Sequence, residues 1–411
     1  MIARTLLPFV GLLLLLAACG STPATHAAPP APATAAGRHV ALKPLTVPAT
    51  APGKADWAPW PAALHDARHS GSALTAGPTT GHVRWHRTLE GDVTPGPVVG
   101  ADGTIYAASN AGILHAIDPA TGKDRWTYDA HTSNPSGDLS VSPLVLPDGT
   151  ILYPTPTAQL VALSPAGKQL WTQKLPDSPT SPASADGSRV YVGDNSGGVS
   201  AIDVKPGGAH SLVWTVQTGA ASFASVVTNG AGRVYTTSGT ALVAIDDHGT
   251  GATIAWRTDP HDGNTEVSPG LAADGTVLLG TNGTHEWAYH PDGTPAWRGN
   301  RVITYSSPSV TASGLAYVAD HSGRVHVFDI ATGTEKADYR VGNVEIWSST
   351  IVDKDYRVYY GGQNGHVYGI APNGTVLFDV NLGGPINSYP ALTADGALIV
   401  GASNGTLAAI G

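Results

Sequence analysis

Short runs of apolar residues alternate with turn-forming residues along most of the chain. In residues 97–126, a short apolar run, an Asp-Gly turn, the run 104–107, a Ser-Asn-Ala-Gly turn, the run 114–117 and a Thr-Gly turn precede a final run carrying Trp126. Short apolar runs separated by such turns are typical of antiparallel β-hairpins. No helical periodicity is long enough to compete with this pattern, which therefore predicts an all-β protein.

The hairpin unit repeats, and an aromatic residue marks its last strand. The marks are Trp85, Trp126, Trp171, Trp214, Trp256, Trp297, Tyr339 and Phe378, spaced by 39 to 45 residues. Four short strands in about 42 residues is the size of a propeller blade. We expect each of these structural repeat aromatics to pack between neighbouring blades.

The strand count predicts how the ring closes. Three strands follow Phe378 without a fourth, and a lone strand at residues 82–86 precedes the first full unit. The expected fold is an eight-bladed β-propeller with four-stranded antiparallel blades over residues 56–411. The N-terminal strand would close the last blade, which removes an exposed sheet edge.

The N-terminus carries the signals of export. Residues 6–16 form an apolar run preceded by Arg4 and too short to span a bilayer comfortably. The segment Leu-Ala-Ala-Cys at 16–19 resembles the lipobox of bacterial lipoproteins, which implies a signal peptide at 1–18 and a lipidated Cys19. The alternative is a plain secretory signal whose cleavage site carries a cysteine.

The segment that follows is predicted to be a tether. Residues 19–55 are rich in Ala, Pro and Thr, with few large apolar side chains to offset the entropy of ordering. By resemblance to lipoprotein sorting, Gly20 favours the outer membrane, facing the periplasm, in a Gram-negative cell. Otherwise we expect the outer face of the cell membrane.

Composition and charge exclude several classes of protein. The 411 residues hold one cysteine, so no disulfide framework, Cys-rich zinc site or iron–sulfur cluster can form within the chain. The formal net charge of −9 argues against nucleic acid as a partner. Apolar runs long enough for several membrane spans do not occur.

One repeat carries a specific resemblance. Residues 116–126, Ala-Ile-Asp-Pro-Ala-Thr-Gly-Lys-Asp-Arg-Trp, resemble the tryptophan-docking repeat of pyrroloquinoline-quinone (PQQ) propellers, and degenerate copies begin at Val161, Ala201 and Val327. The resemblance covers two kinds of protein. PQQ-dependent dehydrogenases use PQQ with calcium, a catalytic Asp and often a disulfide over the cofactor. The outer-membrane assembly lipoproteins of the BamB type are non-enzymatic subunits without a cofactor, and they match this chain in length, lipobox and blade count.

The sequence therefore predicts a lipid-anchored, non-enzymatic scaffold of the cell envelope that binds partner proteins. The BamB resemblance implies a barrel-assembly complex as the partner. The alternatives are a PQQ-dependent periplasmic alcohol or sugar dehydrogenase, and an envelope propeller that binds glycans or acts as a sensor. Operon neighbours would distinguish the three.

The predicted binding face is formed by the loops that join the outer strand of one blade to the inner strand of the next. Its candidate residues are Asp138, Glu266, Tyr305, Glu345, Trp347, Asn387 and Tyr389. Aromatic and acidic side chains that converge at a channel mouth can hold a ligand or a partner strand. The alternative is that they only cap the inner strands.

No metal site is predicted. His65 and His69 have the spacing of a helical metal pair, but no third ligand is evident, and we interpret them as surface histidines. One loop crowds oxygen ligands of the kind calcium prefers, at Asp259, Asp262, Asn264 and Glu266, although their spacing fits no calcium loop known to us.

Overall fold

Eight antiparallel sheets make up the computed structural model, which describes residue 45 and residues 57–130, 141–301 and 304–411, without the side chains of 300 and 301. The described residues form strands and turns and contain no α-helix. Accordingly, none of them belongs to a helix long and apolar enough to cross a membrane. Seven sheets have four strands. The remaining sheet has three, and a single bridge between Ala183 and Tyr191 stands where its inner strand would be.

The strands follow one another blade by blade. Blades 1 to 4 comprise β2 Val98–Val99, β3 Ile105–Ala108, β4 Ile113–Ile117, β5 Asp124–Asp129; β6 Leu144–Val145, β7 Ile151–Thr155, β8 Gln159–Leu163, β9 Gln169–Lys174; β10 Arg189–Gly193, β11 Gly198–Val204, β12 His210–Gln217; and β13 Val227–Thr228, β14 Arg233–Ser238, β15 Ala241–Asp247, β16 Ala252–Thr258. Blades 5 to 8 comprise β17 Gly270–Leu271, β18 Val277–Gly280, β19 His285–Tyr289, β20 Pro295–Arg301; β21 Ser309–Val310, β22 Leu315–Ala319, β23 Arg324–Asp329, β24 Glu335–Arg340; β25 Ile351–Val352, β26 Val358–Gly361, β27 His366–Ile370, β28 Val376–Asn381; and β29 Ala391–Leu392, β30 Leu398–Gly401, β31 Thr406–Ile410 with β1 Val83–Thr88.

The strands of blades 1 to 7 lie in chain order from the centre outwards, and in blade 8 the N-terminal strand β1 is outermost. Inner strands of neighbouring blades, such as β13 with β17 and β17 with β21, contact one another and so surround the central axis. The N-terminal strand β1 pairs with β31, with Trp85 opposite Ala409. The predicted eight-bladed all-β propeller, closed by the N-terminal strand, is therefore confirmed.

The apolar core lies between the blades, and the repeat aromatics sit at its outer edge. The indole nitrogen of Trp85 donates a hydrogen bond of 2.7 Å to the carbonyl of Pro119 in the next blade. Gly122, with φ of +67°, lies beneath the same indole, and a Cβ there would be 2.7 Å from the ring. The contact recurs as Trp126 with Pro165 and Gly167, Trp256 with Pro291 and Gly293, and Trp297 with Ile330 and Gly333.

One segment that lies outside the blade repeats crosses the inner strands of the propeller. Residues 57–77, here called the channel segment, accept hydrogen bonds from backbone N–H groups of six blades. The donors and acceptors are Val99 to Trp60 (2.7 Å), Val145 to Pro61 (2.8 Å), Thr228 to Ala67 (2.8 Å), Leu271 to Arg68 (3.0 Å), Val310 to Ser70 (2.6 Å) and Val352 to Gly71 (2.8 Å). Since buried backbone donors are costly when unpaired, the channel segment stabilises the inner strands and ties the blades together.

The prediction that His65 and His69 are surface residues is wrong. Their side chains belong to the channel segment and are buried, with His69 only 1% exposed. Both ring nitrogens of His69 lack a hydrogen-bond partner among the described residues. Burial lowers the pKa of His69 to about 4, although the nearby Asp66 acts in the opposite direction, so the imidazole is neutral at pH 7. The pair has helical spacing but lies in a turn with positive φ at both residues.

Substitution of Gly71 tests how tightly the channel segment fits. Gly71 has φ of +56°, and a Cβ would lie 2.2 Å from Ser309 Oγ. We expect Gly71→Ala to lower the free energy of unfolding by about 2–5 kcal/mol, from left-handed strain of about 1–2 kcal/mol and overpacking of about 1–3 kcal/mol. Gly249→Ala is the matched control, because Gly249 has φ of +92° and no atom within 4 Å of its would-be Cβ. If urea denaturation shows the same loss of unfolding free energy for Gly71→Ala and Gly249→Ala, the close fit of Gly71 against Ser309 is contradicted.

Candidate binding face

The loops that enter each inner strand and the turns between the second and third strands lie together on one face of the ring, here called the mouth face. Their backbones are joined blade after blade. Asn282 N–H donates to Asn264 (3.1 Å), Gln363 N–H to Glu345 (2.9 Å) and Ser403 N–H to Pro385 (2.8 Å). Side chains from these loops are therefore held at regular positions on the mouth face.

Three aromatic rings from neighbouring loops and turns stack on this face. The Tyr305 ring lies 4.3 Å from the His321 ring and 5.8 Å from the Trp347 ring, centroid to centroid. The rings of His321 and Trp347 are 5.6 Å apart and almost parallel, at 4°. Tyr305 is 37% exposed and Trp347 46% exposed. We call these three side chains the aromatic platform.

Burial keeps the His321 imidazole of the platform mainly neutral at pH 7. Burial lowers the pKa of His321, whereas the carboxylate of Glu345, 3.7 Å from His321 Nδ1, acts in the opposite direction together with Asp320. Because the net direction is downward, His321 is mainly neutral at pH 7. It can therefore stack on Tyr305 and Trp347 without a charge to solvate.

Amide and hydroxyl groups surround the platform. Asn282 Nδ2 lies 3.5 Å from the Tyr305 hydroxyl. On the other side, Gln363 Nε2 donates to Asn387 Oδ1 (2.5 Å), and Asn387 Nδ2 reaches Ser403 Oγ (3.3 Å). The platform thus has an apolar surface bordered by groups that can donate and accept hydrogen bonds.

Below the mouth, serine hydroxyls link one blade to the next. The links run from Ser142 N–H to Ser181 Oγ (2.8 Å), Ser225 N–H to Ser268 Oγ (2.9 Å), Ser268 N–H to Ser307 Oγ (3.1 Å) and Ser307 N–H to Ser349 Oγ (2.9 Å). Tyr389 continues this series, because its hydroxyl lies 2.5 Å from Ser142 Oγ. Its ring occupies the space beside Gly96, where a Cβ would be 1.9 Å from Tyr389 Cε2.

The structure brings some of the candidate residues together and separates others. Tyr305, Glu345 and Trp347 meet around His321, and Asn387 lies in the next loop. Glu266 is an exposed loop residue beside Asn264, whose amide is 3.5 Å from its carboxylate. Tyr389 lies deeper, in the channel wall, and so is less available to a partner than the sequence suggested. Asp138 and Cys19 lie outside the described residues.

Phe223 was missed in the sequence, although a signal for it exists. Its side chain is 64% exposed. It stands two residues after Ala221, whose carbonyl accepts the N–H of Gly239 in the adjoining turn. Trp347 stands in the same register two residues after Glu345, which accepts from Gln363. Aligning the loops by this contact identifies Phe223 as the equivalent of Trp347 in blade 4.

The acidic loop between blades 4 and 5 does not gather its carboxylates around one point. Asp259 Oδ2 accepts from Thr240 Oγ1 (2.6 Å), whereas Asp262 Oδ2 accepts from Trp287 Nε1 (3.0 Å). Within the described ranges, the one group of three potential metal ligands close together is formed by His326, Glu335 and Asp338. That group lies on β23 and β24, the two outer strands of blade 6, and His326 Nε2 is 3.2 Å from Asp320 in the turn before β23.

The fold and its repeat define the class of protein as a PQQ-like β-propeller. The family described as outer membrane protein assembly factor BamB matches residues 70–209 and 208–411. The chain belongs to that family.

Relatives are found among assembly factors and a kinase. BamB of Yersinia pestis is 23% identical over 327 residues, which are 74% of this chain and 70% of that protein. BamB of Nitrosomonas eutropha is 31% identical over 91 residues, covering 22% of this chain and 21% of the relative. The serine/threonine-protein kinase AfsK of Streptomyces griseus is 31% identical over 153 residues, or 36% of this chain. The match spans 18% of the length of that kinase.

Two solved structures share the fold. BamB from Moraxella catarrhalis has a TM-score of 0.63 at 15% identity, covering 80% of this chain and 99% of its own. A europium-containing methanol dehydrogenase has a TM-score of 0.66 at 15% identity, covering 84% of this chain and 89% of its own. The same propeller architecture thus serves an assembly factor and an enzyme, and function has to be argued from the site.

Proposed function

We propose that the protein is a non-enzymatic scaffold of the bacterial cell envelope that holds a partner protein on its mouth face. The observation that carries this proposal is the set of exposed aromatic side chains in equivalent loops, Phe223, Tyr305 and Trp347. Exposed aromatic anchors surrounded by polar groups are typical of protein interfaces. Membership of the BamB family supports a barrel-assembly complex as the partner.

The N-terminal sequence signals support a location at a membrane surface. A lipid on Cys19 would hold the propeller at a membrane surface, and the stretch before Trp57 would act as its tether. In a cell with two membranes, the scaffold would then lie on the outer membrane, facing the periplasm. In a cell with one membrane, the propeller would lie outside the cell.

A dehydrogenase role fits the residues of the mouth face less well. Calcium takes six to eight oxygen ligands around one point. Here Glu266 and Glu345 belong to loops that enter blades 5 and 7, and Glu345 lies beside His321. The chain also lacks the cysteine pair that such enzymes often place over the cofactor. We therefore propose no cofactor and no catalytic step.

Site-specific crosslinking tests the scaffold. A photoreactive amino acid at Phe223 or Glu266, in the full-length protein in its own envelope, is expected to give discrete adducts with a partner protein. The control position is Ala273, an exposed residue in the turn between β17 and β18, on the opposite face. Adducts from the mouth positions alone, identified by mass spectrometry as barrel-assembly components, would support the proposal. Equal adducts from Ala273, or none from the mouth, would contradict it.

A further inference from the structure

The aromatic platform has a geometry that a protein interface does not require. Its three rings are close to parallel, with angles of 4°, 21° and 25° between their planes, and stack at 4.3 to 5.8 Å between centroids, which fixes the orientation of the exposed Trp347 indole. Stacking holds Trp347 in place even though almost half of it is exposed. An exposed ring that is already immobilised loses little entropy when a ligand covers it.

The groups around the platform favour a ligand rich in hydroxyl groups. Asn282, Gln363 and Asn387 carry planar amides, and the Glu345 carboxylate is half exposed. An apolar helix laid over Trp347 would cover these groups without giving them partners, at a cost in free energy. A pyranose ring has an apolar C–H face that covers an indole and hydroxyls at its edge that pair with amides and carboxylates.

The negative charge of the protein restricts the class of glycan further. The chain has a formal net charge of −9, and Glu266 and Glu345 are exposed on the mouth face. Neither the platform nor its amide neighbours supply a cation, because His321 is mainly neutral at pH 7. Phosphorylated or acidic glycans would be repelled, whereas neutral and N-acetylated sugars would not.

We infer that the aromatic platform is a binding subsite for a pyranose ring of a neutral or N-acetylated glycan. The ring lies over the exposed indole of Trp347, beside Tyr305. Its hydroxyls reach the amides of Asn282, Gln363 and Asn387 and the carboxylate of Glu345. This ligand goes beyond the scaffold role, and it would compete with a partner protein for Tyr305 and Trp347.

Calorimetric titration of the purified protein tests the subsite. The probes are tetra-N-acetylchitotetraose and maltotetraose, which distinguish an N-acetylated from a plain neutral glycan. At least one of them is expected to bind saturably. Trp347→Ala should weaken that binding at least tenfold, and Trp347→Phe only a few-fold because a stacking ring remains. Phe223→Ala is the matched control, since it removes an exposed ring at the equivalent loop position in blade 4 and should leave the dissociation constant within twofold.

Two results would overturn the inference. One is the absence of saturable binding of either probe at millimolar concentration. The other is binding that Trp347→Ala leaves unchanged while its melting temperature matches that of the wild type. Failure here is distinguishable from failure of the scaffold role, because crosslinks from Phe223 and Glu266 to a protein would persist if only the glycan subsite were wrong.

Discussion

Trp171→Ala is expected to lower the free energy of unfolding by about 3–5 kcal/mol, the usual cost of removing a large buried aromatic side chain. The Trp171 indole is 7% exposed and stacks on the His210 imidazole of the next blade, with 4.0 Å between ring centroids and 13° between planes. Its nitrogen has no hydrogen-bond partner among the residues described, in contrast to Trp126, whose nitrogen donates to Pro165. The substitution therefore measures packing between blades without the loss of a hydrogen bond.

Urea denaturation of Trp171→Ala should be compared with two other variants. Leu170→Ala changes the adjacent residue, which is 41% exposed, and is expected to stay within about 0.5 kcal/mol of the wild type. Trp171→Phe keeps a ring against His210 and should recover part of the loss. If Trp171→Ala costs no more than Leu170→Ala, the indole does not stabilise the contact between blades 2 and 3.

The fold could be predicted because its information is periodic. Each blade repeats the same turns and the same aromatic residue in its last strand. The last blade has only three strands of its own, so the N-terminal strand Val83–Thr88 was the strand available to complete it. The channel segment could not be predicted in this way. It occurs once, and it binds six blades through backbone groups, which leave no trace in the identity of side chains. Its two histidines therefore looked like surface residues.

The sequence predicted which loops form the candidate face, but not how their side chains meet. The sequence placed Tyr305 and Trp347 in equivalent loops, and the structure stacks both of them against His321 and against each other. His321 belongs to a turn between strands, where the equivalent residues of other blades include Asn110, Asn195 and Asn282. The depth of Tyr389 depends on the missing side chain at Gly96, a residue nearly 300 positions away. A contact between residues so far apart in the sequence can be recognised only in the folded propeller.

Glu286 is a departure from the repeat that sequence alignment of the blades could have revealed. The structurally equivalent residues include Leu114, Leu160, Leu242 and Leu407, each paired with one of the last two residues of the preceding strand. Glu286 is fully buried, and neither carboxylate oxygen has a hydrogen-bond partner among the described residues. It faces blade 6, where Ala288 of the same strand packs with Phe328.

Burial raises the pKa of Glu286 to about 8, although the charge of His326 acts in the opposite direction. In the unfolded chain the carboxyl has its ordinary pKa near 4.5. Between these two values the folded state holds a proton that the unfolded state has released, so stability falls as pH rises from about 4.5 to 8. The difference corresponds to an upper bound of about 5 kcal/mol.

His326 contributes a pH dependence of the same sign. Burial lowers its pKa, but hydrogen bonds and charges from Asp320 and Glu335 outweigh burial and raise the pKa to about 9. The stability that the imidazolium provides is complete below pH 6.5 and is lost as pH rises through 9. Arg324 and Asp338 complete the charged neighbours of His326 on blade 6. Glu286 and His326 therefore act together, and a variant is needed to separate them.

Glu286→Gln is expected to remove most of the decline in stability between pH 5 and pH 8, because the amide cannot ionise. The decline that remains above pH 7 belongs to His326. Glu286→Leu restores the residue found at this position in other blades and should be more stable than the wild type, most clearly at pH 8.5. Urea denaturation across pH 5 to 9 measures all three proteins, with Glu266→Gln as the control at an exposed carboxylate. A Glu286→Gln profile that runs parallel to that of the wild type would show that the buried carboxyl does not govern alkaline stability.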